Sequence, residues 1–393
     1  MAMRHMSLFG SKMRGTLYEL NFLLNVSLAL ILFDLGTFAS SIGIQETSFG
    51  YLMAIAALIS IPAFMLVHAV TRRLGVRKAL GVATILNGVS LVCIAYASSF
   101  ITLLLPVAGA MIACAFIVCF LDTYVSENTS KGHNTGSVRG IFLAASNVAY
   151  IAAPAAAGLF AAAMGYTSLF IIAALGMIPF FILSYWYLPD IKELKEGKTH
   201  TVHRAIRKIL KTPQLREVFI AQAVYRMFAI ISAAYIGLYL TGSVGLTVAL
   251  MSIVLACMEI PYVLVQIPLG KLIDGAWREQ TVAMIGFFIL AVTTSIIPFA
   301  VHISAVLFWA LLLFVQRIGG AMVELCLESF FFKHVTVVEQ EEVAAFRSIY
   351  QITAVVGPAL AASLLLLGGY TTVFLFLSML MVYGVYVSFS LEE

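Results

Sequence analysis

The sequence predicts an all-α integral membrane protein with twelve transmembrane helices, arranged as two pseudo-symmetric six-helix bundles. Of its 393 residues, 62% are hydrophobic and only 11% are charged, and the mean hydropathy is +1.02. No soluble domain has this composition. Apolar segments recur along the whole chain, each with the roughly 20 residues that a helix needs to cross a bilayer. A repeat between the two halves of the chain then predicts the paired bundles.

Each apolar segment is bounded by glycine, proline, asparagine or charge and is expected to form one transmembrane helix. Unbroken apolar runs disfavour a membrane β-barrel, whose strands would alternate apolar and polar residues over about ten positions. The first run is too long for a signal peptide and lacks a small-residue cleavage pattern, so we expect it to remain in the mature protein. The predicted spans are residues 17–41, 47–70, 79–98, 100–124, 140–163, 167–188, 214–240, 246–269, 281–299, 303–331, 344–367 and 370–390.

Corresponding residues recur in the two halves at an offset of about 204 to 208 positions, and Arg139 opens the fifth span as Arg347 opens the eleventh. LDTY (121–124) ends the fourth span as LESF (327–330) ends the tenth, and Pro154 interrupts the fifth span as Pro358 interrupts the eleventh. Paired halves with helices interrupted by Gly and Pro are typical of secondary transporters. The predicted parts are an N-terminal bundle (1–188), a cytoplasmic linker (189–213) and a C-terminal bundle (214–393).

Basic residues indicate which ends of the spans face the cytoplasm. Lys and Arg concentrate in the N-terminus, in the loop after the second span and in the linker, whereas the opposite loops carry only Glu46 and His302 as ionisable side chains. The positive-inside rule therefore predicts cytoplasmic termini, and a plasma (inner) membrane is the expected location. Within the linker, HRAIRKILK (203–211) predicts a basic amphipathic helix on the inner leaflet, with structural and regulatory roles both open.

Charged residues inside the spans are the candidate functional residues. On the tenth span, Glu324 and Glu328 lie within about 20° of Arg317 around the helix axis, so the three form one stripe. A charge at a helix centre costs about 2.5 to 3.5 kcal/mol, and the stripe should therefore face a polar cavity. Arg226 and Glu259 lie at a similar depth, which predicts that arginines and glutamates neutralise one another there. Alternatively, a buried pair of Glu259 with an arginine only holds the C-terminal half together.

Asp34 differs from the other carboxyls because it lies in the outer third of the first span, roughly 9 Å in depth from Arg317, its nearest cation. A carboxyl buried away from cations favours its neutral form, as a proton carrier loaded from outside requires. The alternative is that Asp34 only forms hydrogen bonds with Ser or Thr side chains. Asp122 and Glu328 lie near the inner interface, where gating and simple solvation are both open.

Two loop motifs resemble the signature of the major facilitator superfamily, and the resemblance covers essentially the whole chain. GKLID (270–274) supplies the Gly, Leu and Asp positions, and RRLGVRK (72–78) supplies the basic residues and a glycine. In this family the signature Asp is associated with the start of a helix in the other half, where it steadies the outward-open state. The gating residues that the resemblance implies are Asp274, Arg278, Arg73 and Gly75. Asp122 and Glu328 are gating candidates because of their depth alone.

AxxxAPxxAG (149–158) and GPALAA (357–362) resemble the family's Gly-Pro helix signature, which is associated with antiporters. The resemblance implies that the halves rock against each other, with Pro154, Gly158, Gly357 and Pro358 as hinge or packing residues. It also implies that the first, fourth, seventh and tenth helices line a central cavity. The candidate residues for proton coupling or substrate binding are Asp34, Arg226, Glu259, Arg317 and Glu324.

Other functional classes have little support in the sequence. None of the seven histidines forms an HExxH pattern, so a zinc protease is not expected, and EGKT (196–199) lacks the first glycine of an ATP-binding loop. The net charge of +4 reflects membrane topology rather than nucleic-acid binding. The five cysteines all fall within spans, which predicts no disulfide framework and no metal site. We therefore expect no enzymatic activity and no cofactor.

The sequence thus predicts a proton-coupled secondary transporter of a small organic solute, with alternating access and antiport or efflux favoured. Its expected partners are the solute, protons and the lipid bilayer, and we expect a monomer. One alternative is a uniporter or symporter that imports an anionic metabolite held by Arg226 and Arg317. Another is a membrane receptor or lipid-handling protein on the same scaffold, since fold does not fix function.

Overall fold

The structure is a computed structural model that describes residues 2–129, 135–191, 207, 209–273, 277–334 and 340–391. The described residues form helices and contain no strand. The helices are α1 (Ala2–Phe33), α2 (Leu35–Ser41), α3 (Glu46–Met65), α4 (Val67–Leu74), α5 (Val76–Ala95), α6 (Phe100–Thr129), α7 (Thr135–Met164), α8 (Tyr166–Tyr187), α9 (Pro213–Leu238), α10 (Val248–Ile273), α11 (Glu279–Ile296), α12 (Val306–His334) and α13 (Gln340–Phe389), with a π-helical turn at Tyr239–Ser243 and a 3₁₀ turn at Ile297–Ala300.

Eleven helices of the described chain are long and apolar enough to cross a membrane. The last of them, α13, has 50 residues and is interrupted by non-helical backbone at Gly368 and Gly369. Gly369 has a φ of +68°, a left-handed conformation that glycine adopts without steric cost. The break separates the predicted eleventh and twelfth spans, so the prediction of an all-α protein with about twelve spans is confirmed.

Two predicted spans are less regular than the hydrophobic pattern indicates. The first is divided at Asp34, which separates α1 from α2, and the second is divided at Leu66, which separates α3 from α4. The hydropathy of these segments does not show the breaks. Apolar composition indicates which residues are buried and not whether the helix is continuous.

The surface of the helices is apolar, as a lipid environment requires. Large hydrophobic side chains are widely exposed, including Leu159 at 74%, Phe299 at 72% and Leu367 at 80%. A water-soluble protein rarely exposes contiguous apolar surface of this kind. The chain is therefore an integral membrane protein.

The chain divides into two compact units, Met1–Ile44 with Ile55–Lys195, and Gln45–Ala54 with Glu196–Glu393. In the first unit, α1, α5 and α6 share a core that includes Leu20, Leu80 and Phe120. In the second unit, α11 and α12 approach closely at Gly286 and Gly319. A Cβ atom on Gly286 would lie 2.8 Å from the carbonyl oxygen of Gly319, so both positions need glycine for this helix packing.

Residues Gln45–Ala54, which include the first half of α3, belong to the second unit. Within that unit Phe49 packs edge-on against Tyr235, with ring centroids 6.3 Å apart, and the hydroxyls of Tyr51 and Ser363 lie 3.1 Å apart. Gly50 has no room for a side chain, since a Cβ there would meet Tyr235 Oη and the carbonyl oxygen of Pro358. The packing of residues 45–54 within the second unit therefore depends on contacts that the hydrophobic pattern does not indicate.

Candidate functional site

Three helices of the second unit bring five charged side chains and two tyrosines together, and we call this set the charged cluster. Its members are Tyr225 and Arg226 on α9, Glu259 and Tyr262 on α10, and Arg317, Glu324 and Glu328 on α12.

One ion pair of the charged cluster is partly exposed. Arg226 Nη2 lies 2.8 Å from Glu324 Oε1 and 3.6 Å from Glu328 Oε1. The two glutamates are four residues apart on α12, so their side chains lie on one face of the helix. The side chain of Arg226 is 24% exposed, that of Glu324 22% and that of Glu328 47%. A single guanidinium is therefore shared by two carboxylates.

The second ion pair is buried. Arg317 Nη2 lies 3.1 Å from Glu259 Oε1, and the side chains are only 6% and 9% exposed. Despite this separation, Glu259 Oε1 has no hydrogen-bond partner among the described residues, and neither has Arg317 Nε. The distance is that of a close ion pair, but the atoms do not have hydrogen-bond geometry. This pair holds two opposite charges away from solvent while leaving a donor and an acceptor unsatisfied.

A pair of tyrosine hydroxyls lies between the two ion pairs. Tyr225 Oη and Tyr262 Oη are 2.6 Å apart, and the Tyr225 hydroxyl lies 3.4 Å from Glu324 Oε2 as a donor. The guanidinium of Arg226 lies 5.7 Å from the ring centroid of Tyr225, and that of Arg317 lies 5.9 Å from the ring centroid of Tyr262. Both separations fall in the range of cation–π interactions.

Gly320 leaves the space that the tyrosine pair occupies. A Cβ atom at this position of α12 would lie 3.0 Å from Tyr262 Oη and 3.6 Å from Tyr225 Oη. Sequence analysis did not single out Gly320 or either tyrosine. The only signals were that Tyr225 precedes Arg226 and that Tyr262 follows Glu259 by three residues, which places it on a neighbouring face of α10.

Asp34 lies in the first unit, at the break between α1 and α2. The residue is fully buried, and neither carboxylate oxygen has a hydrogen-bond partner among the described residues. Thr37 Oγ1 donates to the main-chain carbonyl oxygen of Asp34 at 2.8 Å, not to the carboxyl group. The sequence left open whether Ser or Thr hydroxyls bind the Asp34 carboxyl group. Within the described part of the chain, no hydroxyl does.

An amide cluster in the same unit was missed by the sequence analysis. Asn21 Nδ2 donates to the carbonyl oxygen of Phe142 at 2.6 Å and to Ser146 Oγ at 2.6 Å. Asn25 Nδ2 donates to Asn21 Oδ1 at 3.0 Å. Asn21 and Asn25 are four residues apart on α1, which was the available sign of a shared polar face. Both asparagines are buried, at 4% and 8% exposure, and their amide groups satisfy one another and α7 within the cluster.

The remaining predicted residues occupy helix ends and helix interiors. Gly75 separates α4 from α5 with a φ of +78°. Of the predicted gating residues, Arg73 and Arg278 are exposed, Asp122 is half-buried near the end of α6, and Asp274 falls outside the described residues, as does most of the predicted amphipathic helix at 203–211. The predicted hinge or packing residues are all buried, namely Pro154 and Gly158 in α7 and Gly357 and Pro358 in α13.

Long apolar helices with paired charges buried among them define a polytopic membrane protein. Comparison with protein families agrees with this class. The model of the Major Facilitator Superfamily matches residues 20–221 and 218–392. The chain therefore belongs to the major facilitator superfamily, whose members are secondary transporters, and the resemblance of its motifs is confirmed.

Three solved structures that share the fold of this chain are structures of transporters. A mutant of the nucleoside transporter NupG aligns with a TM-score of 0.81 and 13% identity, over 97% of this chain and 100% of that chain. A second NupG structure gives 0.77 and 13% identity, over 96% and 98%. A POT family transporter in complex with a thioalcohol-conjugated peptide gives 0.75 and 14% identity, over 95% and 94%. No curated protein sequence matched the chain.

Proposed function

We propose that this transporter couples the movement of a small organic solute to protons by alternating access, and that Asp34 carries the coupled proton. The observation that carries the proposal is the fully buried Asp34 carboxyl, which has no hydrogen-bond partner among the described residues. An ionised carboxylate in this position would cost several kcal/mol without a partner. Protonation removes that cost, and hydration or a bound solute restores the charged form.

The charged cluster supports an uncharged solute over an anionic one. Arg226 already contacts Glu324 at 2.8 Å, and Arg317 already contacts Glu259 at 3.1 Å. An anionic metabolite would have to displace a carboxylate from either arginine. Nucleosides are the first uncharged solutes to test, because two structural neighbours carry this name. Short peptides, which are zwitterions with a carboxylate, are the comparison that the third neighbour suggests.

The direction and orientation of transport complete the proposal. Antiport is favoured by the Gly-Pro signature around Pro154 and Pro358, and the basic loops favour cytoplasmic termini in a plasma membrane. In an antiporter of this orientation, protonation of Asp34 from outside precedes the inward step that exchanges a proton for solute.

The test is Asp34→Asn, which mimics the protonated state. A thermal-shift screen with uridine, dialanine and related solutes first identifies a ligand of the wild-type protein. Proteoliposomes then compare uphill transport under an imposed pH gradient with counterflow at equal pH. We expect Asp34→Asn to lose uphill transport and to retain counterflow, because exchange needs no net proton movement. Glu19→Gln, an exposed carboxyl on the same helix, is the matched control and should leave both assays unchanged.

Two results would contradict the assignment. Normal uphill transport by Asp34→Asn would move the proton site to Glu259 or Glu324, and loss of the variant from the membrane would make Asp34 structural. Collapse of the proton gradient distinguishes the proposed coupled transporter from a uniporter. A uniporter still equilibrates its solute across the membrane when the gradient is absent.

A further inference from the structure

Basic side chains at one end of the first unit form no ion pair with any described residue. They surround the junction of α4 and α5, and we call them the basic turn, which comprises Arg72, Arg73, Arg77 and Lys78. Arg77 is half-buried and the others are exposed. In the second unit, by contrast, Arg226, Arg317 and Lys333 each contact a carboxylate. The basic turn therefore has positive charge available for an anion.

The packing of α8 against α5 positions Arg77. A Cβ atom on Gly81 would lie 3.1 Å from the ring of Phe181, so this glycine allows the two helices to approach closely. The Phe181 ring stacks on the ring of Tyr185 at a centroid separation of 6.1 Å. The Arg77 guanidinium in turn lies 5.2 Å from the centroid of the Tyr185 ring, within cation–π range. Arg77 Nε has no hydrogen-bond partner among the described residues, so the ring holds a guanidinium that still needs an acceptor.

A carboxylate near the basic turn does not neutralise it. The chain that follows α8 passes the turn, because the Val76 amide donates to the carbonyl oxygen of Ile191 at 2.9 Å. The neighbouring Asp190 is exposed, and it takes part in none of the ion pairs of the described residues. Arg77 and Lys78 also lie in the first turn of α5, where the helix dipole favours an anion.

Two exposed apolar stripes run along α5 and α8 from this end of the unit. The stripe on α5 begins at Lys78 and continues through Val82, Ile85 and Val89. The stripe on α8 ends at Trp186 and consists of Leu175, Ile178 and Ile182. Their members are spaced by three or four residues, so each stripe occupies one face of its helix. A charged or aromatic residue thus stands at the same end of both stripes.

Helix geometry places the two stripes on the same side of the helix pair. The contact of Gly81 with Phe181 marks where the helices face each other, and each stripe includes the residue that follows this contact. One residue corresponds to a rotation of about 100° around the helix axis. Because α5 begins and α8 ends at the basic turn, the helices are antiparallel, and this rotation turns both stripes to one side. The result is a continuous apolar surface that leads to the basic turn.

We propose that this surface and the basic turn bind an anionic phospholipid, with the lipid phosphate at Arg77 and Lys78 and the acyl chains along α5 and α8. Clusters of Lys and Arg at the membrane surface attract anionic headgroups, and a guanidinium donates charge-assisted hydrogen bonds to phosphate. Exposed Trp186 and Tyr187 end α8 as aromatic residues do at a membrane interface. The site depends on neither Asp34 nor the charged cluster.

Quenching of Trp186 fluorescence by brominated lipids tests the site. Trp186 is 73% exposed, and Trp277→Phe removes the other exposed tryptophan, whereas Trp309 is buried. The full chain with Trp277→Phe is reconstituted in phosphatidylcholine bilayers that contain either brominated phosphatidylglycerol or brominated phosphatidylcholine. Subtraction of the Trp186→Phe signal leaves the emission of Trp186. We expect brominated phosphatidylglycerol to be preferred about fivefold or more, since each basic residue at a membrane surface contributes about that factor.

Charge variants in the same background locate the preference. Arg77→Gln and Lys78→Gln should each lower it about fivefold, towards equal quenching by the two lipids. Arg216→Gln is the matched control, because it also removes one exposed arginine but does so on α9 of the second unit, where the side chain is 48% exposed and pairs with Glu217. This variant should keep the preference of the parent protein.

Three results would overturn the lipid site. The first is equal quenching of Trp186 by the two lipids in the parent protein. The second is an equal loss of preference in Arg216→Gln and Lys78→Gln, because the attraction would then follow net charge rather than position. The third is loss of the preference on addition of millimolar inorganic phosphate, which would assign the site to a soluble anion. If Arg77→Gln is lost from the membrane, Lys78→Gln decides alone, since Lys78 is exposed and its replacement leaves the packing of α5 intact.

Discussion

Breaking the buried pair of Glu259 and Arg317 should destabilise the protein strongly, whereas removing both charges should not. The two atoms that define the pair are 3.1 Å apart, and both side chains are less than a tenth exposed. At an effective dielectric constant of about 20, this separation corresponds to roughly 5 kcal/mol of attraction. The energy is lost when one partner is removed, and the remaining charge keeps its desolvation cost. We expect Arg317→Met or Glu259→Leu to lower the free energy of unfolding by about 3 to 5 kcal/mol.

The double variant Arg317→Met with Glu259→Leu leaves no uncompensated charge. Its free energy of unfolding should return to within about 1 kcal/mol of the wild type, because hydrophobic residues often replace a buried ion pair without loss. The measurement is a double-mutant cycle on protein unfolded by sodium dodecyl sulfate in mixed micelles. The expected coupling energy is several kcal/mol. Additive losses in the two single variants and the double variant would refute the pairing and the reasoning based on burial.

Arg226→Met provides the comparison within the same cluster. The partly exposed pair of Arg226 and Glu324 is screened by solvent, with side chains that are 24% and 22% exposed. Its loss should therefore cost only about 1 to 2 kcal/mol. An equal loss in Arg226→Met and Arg317→Met would mean that burial does not set the cost.

Two further predictions concern the packing and the charges of the second unit. Gly286→Ala should lower the free energy of unfolding by about 1 to 3 kcal/mol, because its Cβ would lie 2.8 Å from the carbonyl oxygen of Gly319. Thermal unfolding should show no such loss for Gly176→Ala, where no heavy atom lies within 4 Å of the added Cβ. Lys333→Met should cost about 1 to 3 kcal/mol in the same assay, because it removes the cation that pairs with the buried Glu279 carboxylate. Wild-type stability in Lys333→Met would show that this contact contributes nothing.

Much of the fold follows from hydrophobic periodicity and from the glycine, proline, asparagine and charged residues that separate the apolar runs. These patterns predicted the helical class, about twelve spans and the charged stripe on the tenth span. They did not predict the interruption of the first span at Asp34. An acidic residue in an apolar run indicates an unfavourable free energy of burial, but it does not indicate that the helix breaks there. Nor does the pattern indicate which helices residues 45–54 contact, since an amphipathic pattern identifies a buried face but not the helix that covers it.

The charged part of the candidate site was more predictable than its neutral part. Arg226, Glu259, Arg317 and Glu324 stand out because charge is rare and costly inside a membrane. Tyr225 belongs to an ordinary apolar span, where tyrosine is common and where spacing alone does not indicate a hydroxyl contact across helices. The separation of 2.6 Å between two tyrosine hydroxyls depends on how α9 and α10 pack, which is tertiary information.

The two ion pairs differ in the mutational routes by which they can be replaced during evolution. A lineage that replaces Glu259 and Arg317 one codon at a time must pass through a protein with an unpaired buried charge, at a cost of about 3 to 5 kcal/mol. Most domains have only about 5 to 15 kcal/mol of stability, so this intermediate would often be lost, and the pair would persist even in relatives with different solutes. Arg226 has a shorter route, because either Glu324 or Glu328 can change while the other remains beside the guanidinium. Sequence variation in this region should therefore appear first among the carboxylates around Arg226.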